Sequence, residues 1–414
     1  MINEIIVFLA AAGIIFLGFS GEIFFKKTGI SHYLFLILTG VILGPIFNIF
    51  PREPLIPVLG LFASFTLIMI LFYSGMEMKI REVVKGSPRT VAQVTIYVVS
   101  SIFLIGISLH FIFKWDLIQS LIFGAMVGGE TTAVVVIPLS RALKLGQSTI
   151  TFLTLESILN SILSIVFYEA FVSLYKTGIS NWTVPLITIG ISFSLGIIVG
   201  IVLSIAWMFV LRFVRNFKYT YVLSLGLLFI TYAVTELLHG SGLVAVLIFG
   251  LFLGSSKTIL SRLRQKFDLV EMNDQFYKFQ GEISFLMETF FFVFLGLVFV
   301  ITPSTILSNL MLGLVIIGIL ILFRFIATKV STRKSELRKD QLAIILICAQ
   351  GIVPATLSIA ALNDGIPLAS TFVSLAVYVI ILTNIVTTIG TIWIARKNRK
   401  VSTLDDNASA DIQK

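Results

Sequence analysis

The sequence predicts an all-α integral membrane protein of about 13 transmembrane helices, arranged as two inverted six-helix repeats with discontinuous helices at spans 5 and 12. Three observations carry that expectation: the composition, the length of the apolar runs, and two interruptions at matching positions. Of 414 residues, 57% are apolar and only 12% charged, where a soluble domain carries roughly 25% charged residues. The mean hydropathy is +1.04. These values exclude an ordinary soluble domain and a disordered chain, and a single cysteine, Cys348, excludes a disulfide scaffold. The net charge of +9 is read as basic loops at a membrane face, not as a nucleic-acid surface.

In chain order the apolar runs lie at about 4–25, 31–50, 56–78, 90–113, 116–140, 148–175, 181–211, 219–237, 241–256, 282–301, 305–328, 340–362 and 368–395. Most approach the roughly 20 residues that a helix needs to cross the hydrocarbon core. None alternates with period two, so a β-barrel is not expected. The first run has no basic leader or Ala-x-Ala site and reads as a retained helix. Basic residues test the parse: 26 of the 30 fall on one side, among them Arg141, Lys144, Arg333 and Lys334. Only Arg52, Lys114 and Lys176 fall on the other, and Arg324 alone lies inside a span. The positive-inside rule then puts the N-terminus outside and the C-terminus in the cytoplasm. The stretch from Asn407 to Lys414 is expected to be disordered.

Span 5 is interrupted by Gly128, Gly129, Glu130, Thr131 and Thr132, and span 12 by the run from Ala349 through Gln350, Gly351 and Pro354 to Thr356. Glycine weakens a helix and proline removes a donor and clashes with the preceding turn. Two six-span halves around a linker, span 7, place both breaks at equivalent positions. Because seven is odd, the second half is inverted. Paired broken helices in inverted repeats are the pattern of secondary transporters, whose half-helix ends surround a midplane ion site. The competing reading is two ordinary kinks in a channel or structural protein.

Intramembrane carboxylates are costly and therefore point to sites. Glu156 and Asn160 share one face of span 6, and Asn160 and Ser161 fall near mid-membrane. Arg324 lies at roughly the depth of Glu156, so the two are expected to pair; the alternative is Arg324 snorkelling to the interface. Glu130, beside the start of a half-helix, can cap free amides or act as a titrating ion ligand. Glu288 reads as a funnel or interfacial charge, and Glu169 and Glu236 as solvated. The three histidines are scattered, with no metal-ligand spacing. No nucleophile–base constellation stands out, so no enzyme activity is expected.

Several segments resemble the monovalent cation:proton antiporter superfamily, in particular its NhaP/NapA-like sodium/proton exchangers. Ile30-Ser-His-Tyr-Leu-Phe-Leu-Ile-Leu-Thr-Gly-Val-Ile-Leu-Gly-Pro45 is similar to the second-span pattern. Leu71-Phe-Tyr-Ser-Gly-Met-Glu-Met78 resembles an "LFxxGLE" segment, and Phe290-Phe-Phe-Val-Phe-Leu-Gly296 an "FFFVxLG" motif. Leu155-Glu-Ser-Ile-Leu-Asn160 looks like "ESLxND". The resemblance implies scaffold and dimer helices in 1–85 and 218–302, core helices in 86–177 and 303–396, a linker helix in 178–217 and a cytoplasmic tail in 397–414. It also implies crossed broken helices, a core that slides like an elevator, a homodimer, and a structural ion pair at Glu156 and Arg324. Two departures matter. The family's ion-binding aspartate falls on Ser161, and a hydroxyl does not titrate in the physiological range. Gln350 stands where many NhaP-type relatives carry arginine.

The expected function is exchange of a monovalent cation, Na+ before K+, for protons in a cell membrane, without a cofactor. The ion site is expected at Asn160, Ser161, Thr131, Thr132 and Glu130. The alternatives are a non-exchanging member, such as a uniporter, channel-like path or regulatory subunit, and a sodium-coupled organic solute symporter.

Overall fold

The computed structural model describes residues 4–28, 30–50, 55–78, 80, 88–178, 183–214, 219–256, 259, 274–299 and 303–412. The first half contains α1 (Glu4–Thr28), α2 (His32–Val41, extended by a π turn Ile42–Ile46), α3 (Leu55–Glu77), α4 (Pro88–Phe113), the half-helices α5 (Leu117–Val127) and α6 (Ala133–Ala142), and α7 (Gln147–Thr177). The second contains α8 (Thr183–Val214), α9 (Thr220–Leu237), α10 (Gly242–Gly254), α11 (Asp274–Val298), α12 (Pro303–Ser331), the half-helices α13 (Gln341–Leu346) and α14 (Ile352–Asn363), and α15 (Ala369–Ile412). Among the described residues there is no strand.

Nine described helices are long and apolar enough to span a membrane, and this is a multi-pass membrane protein. Spans 2, 5, 9 and 12 of the sequence parse fall instead on shorter apolar helices, His32–Ile46, Leu117–Val127, Gly242–Gly254 and Ile352–Asn363. The reason at spans 5 and 12 is the break itself, which divides one apolar run into two half-helices. Arg52, Lys79, Arg81, Lys85, Arg215, Lys218, Lys257, Arg262, Arg264, Lys266 and Lys414, used in the charge count, lie outside the described residues. The expected disorder after Asn407 is not observed over its described part. The α15 helix runs on to Ile412, because nothing between Gly390 and that point is a glycine or proline that would stop it.

The helices pack in two groups. Helix α5 packs on α4 and α7, and α6 on α7, while α13 packs on α12 and α15, and α14 on α15; α4 also packs on α12 and α5 on α14. The other group is built on α3, which packs on α10 and α11, with α2 and α1 against α11. Helix α8 lies against α7, α9 and α10, and α3 meets α14 between the groups. Aromatic pairs such as Phe62–Phe294 and Tyr33–Phe292 fill the second group.

Candidate functional site: the crossing of two broken helices

A helix end leaves amides or carbonyls without intrahelical partners, and inside a membrane each must find a substitute. Four ends meet here: the C-termini of α5 and α13 and the N-termini of α6 and α14. Gly129 turns the chain at φ +93°, a left-handed conformation that favours glycine. Gly351 permits the close approach, since a Cβ there would stand 2.8 Å from Thr132 Cβ. The span 12 break itself occupies Ile347–Gly351, upstream of Pro354. Pro354 sits in the first turn of α14, where its missing N–H has no intrahelical acceptor to lose. Gly128 ends α5.

The two breaks satisfy each other. Thr132 N donates to Ala349 O (2.8 Å), and Gln350 Nε2 donates to Val127 O (2.6 Å). Glu130 Oε2 accepts from Gly351 N at 3.1 Å. Glu130 therefore caps the opposite half-helix, α14, where the sequence suggested its own; the crossing brings the foreign N-terminus nearer. Helix α15 supplies the remaining partners. Thr387 Oγ1 accepts from Cys348 N, Thr383 Oγ1 accepts from Gln350 N, and Asn384 Nδ2 donates to Gln350 O. Ser157 Oγ donates to Thr131 O, and Asn160 Nδ2 donates to Thr131 Oγ1 at 3.2 Å.

Glu130, Thr131, Thr132 and Asn160 are all buried, with Glu130 only 1% exposed. Asn160 Oδ1, Gln350 Oε1 and Asn384 Oδ1 are buried without a hydrogen-bond donor. Buried, oxygen-rich sites of this composition suit hard monovalent cations, which are bound by carbonyl, hydroxyl and carboxylate oxygens. Ser161 differs from its neighbours. It is half-buried, and its hydroxyl donates to Ser157 O, one turn back on its own helix, at 3.0 Å.

The second constellation is fully closed. Arg324 Nη1 and Nη2 meet Glu156 Oε1 and Oε2 at 2.8 and 3.1 Å, with both side chains 0% exposed. Arg324 Nε also donates to Ile344 O and Nη2 to Ile347 O, capping the last carbonyls of α13. Gln93 Nε2 donates to Glu156 Oε1, and the Tyr97 ring lies 5.1 Å from the guanidinium. A π turn at Thr95–Val99 in α4 carries Tyr97.

Two cavities flank the crossing. One, of about 540 Å³, lies between α1, α3 and α11 on one side and α6 and α7 on the other, with Glu288, Tyr73 and Thr154 in its wall. The other, of about 230 Å³, is lined by Tyr168, Glu169, Glu236, Thr356 and Asp364. Along α7, Ser161 sits seven residues from both Thr154 and Tyr168, about 10 Å each way. Glu169, expected to be solvated, is half-buried and accepts from Ser241 Oγ; Glu236 is exposed, as expected, and its Oε1 accepts from Gly242 N. Sequence reasoning passed over Thr383, Asn384 and Thr387, Gln93 and Tyr33. The first three form a polar stripe in an otherwise apolar span, which is the signal that could have found them.

Residues 11–397 match the family model described as "Sodium/hydrogen exchanger, transmembrane". The K(+)/H(+) antiporter NhaP of Alkalimonas amylolytica is 25% identical over 329 residues, covering 78% of this chain and 54% of that protein. Sodium/hydrogen exchanger 8 of Arabidopsis thaliana is 28% identical over 190 residues, 44% of this chain and 25% of its own length. The chain thus spans about half the length of the NhaP-type relatives it matches. The structure of the sodium proton antiporter MjNhaP1 from Methanocaldococcus jannaschii superposes with a TM-score of 0.74 at 24% identity, covering 94% of this chain and 97% of that one. That likeness establishes the fold.

Proposed function

The chain belongs to the transmembrane sodium/hydrogen exchanger family, and from that premise we propose that it exchanges a monovalent cation, Na+ in preference to K+, for protons across a cell membrane. One observation carries the reading: a carboxylate, Glu130, is buried where two interrupted helices cross, beside amide oxygens that lack donors. The cation binds among Thr131, Thr132, Asn160 and the free amide oxygens. The proton binds Glu130, because the other buried carboxylate of the crossing region, Glu156, is held bidentate by Arg324. Competition follows from charge. A cation beside Glu130 stabilises the carboxylate, and a proton on it removes the negative charge that the cation needs.

The group α4–α7 with α12–α15 moves as an elevator against α1–α3 and α9–α11, carrying the crossing between the two cavities. The N-terminus lies outside and the C-terminus in the cytoplasm, so the Glu288 cavity opens to the cytoplasm. The scaffold group forms a homodimer. The reading requires no cofactor and assigns no enzymatic reaction. The test is a reconstituted-vesicle assay with an internal pH dye. A Na+ pulse should shift internal pH, a K+ pulse less so, and unchanged pH with both would end the exchange reading. Ser161 favours one second reading, a member that moves or senses a cation without exchange; it predicts cation uptake with no pH change.

A further inference from the structure

Glu288, on α11, is 5% exposed and forms part of the wall of the 540 Å³ cavity. Its one hydrogen-bond partner among the described residues is the Tyr33 hydroxyl of α2, which donates to Oε1 at 3.3 Å. The Tyr33 ring is packed against His32 and Phe292, at 4.3 and 4.2 Å between centroids, so the phenol holds Oε1 toward α2. Oε2 accepts no hydrogen bond among the described residues, and no basic side chain there pairs with the carboxylate. An ionised carboxylate so far from bulk water is costly without an opposite charge. Glu156 has Arg324 for that purpose; Glu288 has only the contents of its cavity.

The rest of the wall is rich in neutral oxygen. Ser284 stands one turn before Glu288 on the same face of α11. Ser74 on α3 and Thr151 and Thr154 on α7 add hydroxyls. Glu22 on α1 and Glu77 on α3 make the wall negative against the single Arg141 on α6. His32, 1% exposed, lines the same cavity, and neither of its ring nitrogens has a hydrogen-bond partner among the described residues. A buried polar group left unpaired is rare in proteins and points to water or an ion that completes it. Among the described residues no three His, Cys, Asp or Glu side chains are grouped as a metal site. One carboxylate with hydroxyls around it suits a singly charged ion instead, since its charge is matched once and its shell is filled by oxygen.

We infer that Glu288 anchors a second monovalent-cation site, in this cavity and apart from the crossing. The alkali cation sits against Oε2, with the Ser284 hydroxyl one turn away and water filling the rest of its shell. That water supplies the partner that the His32 ring lacks. Thr154, in the opposite wall, lies six residues from Asn160, about 9 Å along α7. An ion at Glu288 is therefore separate from one among the oxygens of the crossing. The site goes beyond the exchange reading, because it binds a cation whether or not the chain exchanges one.

The test measures binding of radiolabelled Na+, and of Rb+ as a stand-in for K+, to full-length protein in lipid nanodiscs. Glu288→Gln should weaken one bound ion by at least about a hundredfold, the scale for removing a unit charge at contact distance from a partly buried ion. Glu130→Gln should keep that ion. Glu288→Asp retains the charge but withdraws it by one methylene, and should bind the ion about tenfold more weakly. It decides the question alone if Glu288→Gln does not fold. Binding of either ion with this pattern sustains the site and names the ion it takes. Binding of neither ion by the wild type, or wild-type affinity in the folded Glu288 variants, overturns it. The exchange reading fails separately, on the vesicle assay: no pH change there, with an ion still lost in Glu288→Gln, removes exchange and leaves the second site standing.

Discussion

Glu156 and Glu130 are both buried carboxylates in the same helix group, and they are held in opposite ways. Glu156 has a bidentate guanidinium, a third donor from Gln93 and no exposed surface. Glu130 has one backbone amide, Gly351 N, and no cationic partner among the described residues. A fully satisfied buried ion pair costs much to open. A carboxylate held by a single neutral donor gains and loses a proton with little rearrangement around it. On the proposed exchange reading the difference separates a structural charge from a working one, although both look alike as isolated glutamates in apolar sequence.

The largest expected effect tests the structural side. Arg324→Ala strands the Glu156 charge and also frees Ile344 O and Ile347 O at the end of α13. Breaking a buried pair by removing one partner costs about 3–5 kcal/mol. Glu156→Gln should cost a similar amount, and the double variant should be no worse than either single one, because the two residues act through each other. Thermal unfolding in detergent measures all three. A loss below about 1 kcal/mol in both singles would mean that the pair is dispensable, and the contrast with Glu130 would collapse.

Glu130→Gln tests the working side. The amide oxygen still accepts from Gly351 N, so stability should stay within about 1 kcal/mol of wild type. Proton-coupled flux should be lost, because the amide does not titrate. A stable variant that still exchanges at the wild-type rate would move the proton site elsewhere. Gln350→Leu then sharpens the comparison at the stitch between the breaks. It removes one of the two donors to Val127 O, which keeps Gly129 N, and a lost hydrogen bond of this kind costs about 0.5–1.5 kcal/mol. The loss should fall on stability and on cation-induced stabilisation together, as the crossing loosens. Wild-type stability would show that α15, through Thr383 and Asn384, holds the break without help.

The pairing of Glu156 with Arg324 was legible because only one arginine lies in a span and its depth could be counted along the helix. The breaks were legible because glycine and proline are poor helix formers, and clustered at the centre of an apolar run they mark where its backbone ladder is weakest. Much of the rest depends on which elements touch. Glu130 caps α14, and that follows from the crossing of distant segments rather than from local spacing. Pro354 marked the right span but not the break, since proline in a first turn is compatible with the helix it begins. Tyr33 and Glu288 are 255 residues apart, and nothing in either segment announces the other. Arg324 as the cap of α13 was hidden for the same reason.

The smallest effect concerns Ser161, whose residue type is the chief departure from the family pattern. Its hydroxyl donates to Ser157 O on the same helix, a local back-bond that adds little to helix stability. Ser161→Ala should therefore change stability by no more than about 0.5 kcal/mol, the range of substitutions away from special features. Flux should be unchanged if, as proposed, the proton rides on Glu130. A large loss of exchange would make the serine oxygen a cation ligand and weaken the case for Glu130 as the sole charged group at the site. Ser161→Asp asks the converse. A second carboxylate beside Asn160 adds a competing proton site and should raise flux if the site can use it. Unchanged flux would mean that the crossing already carries its proton on Glu130 and that the aspartate is redundant in this chain.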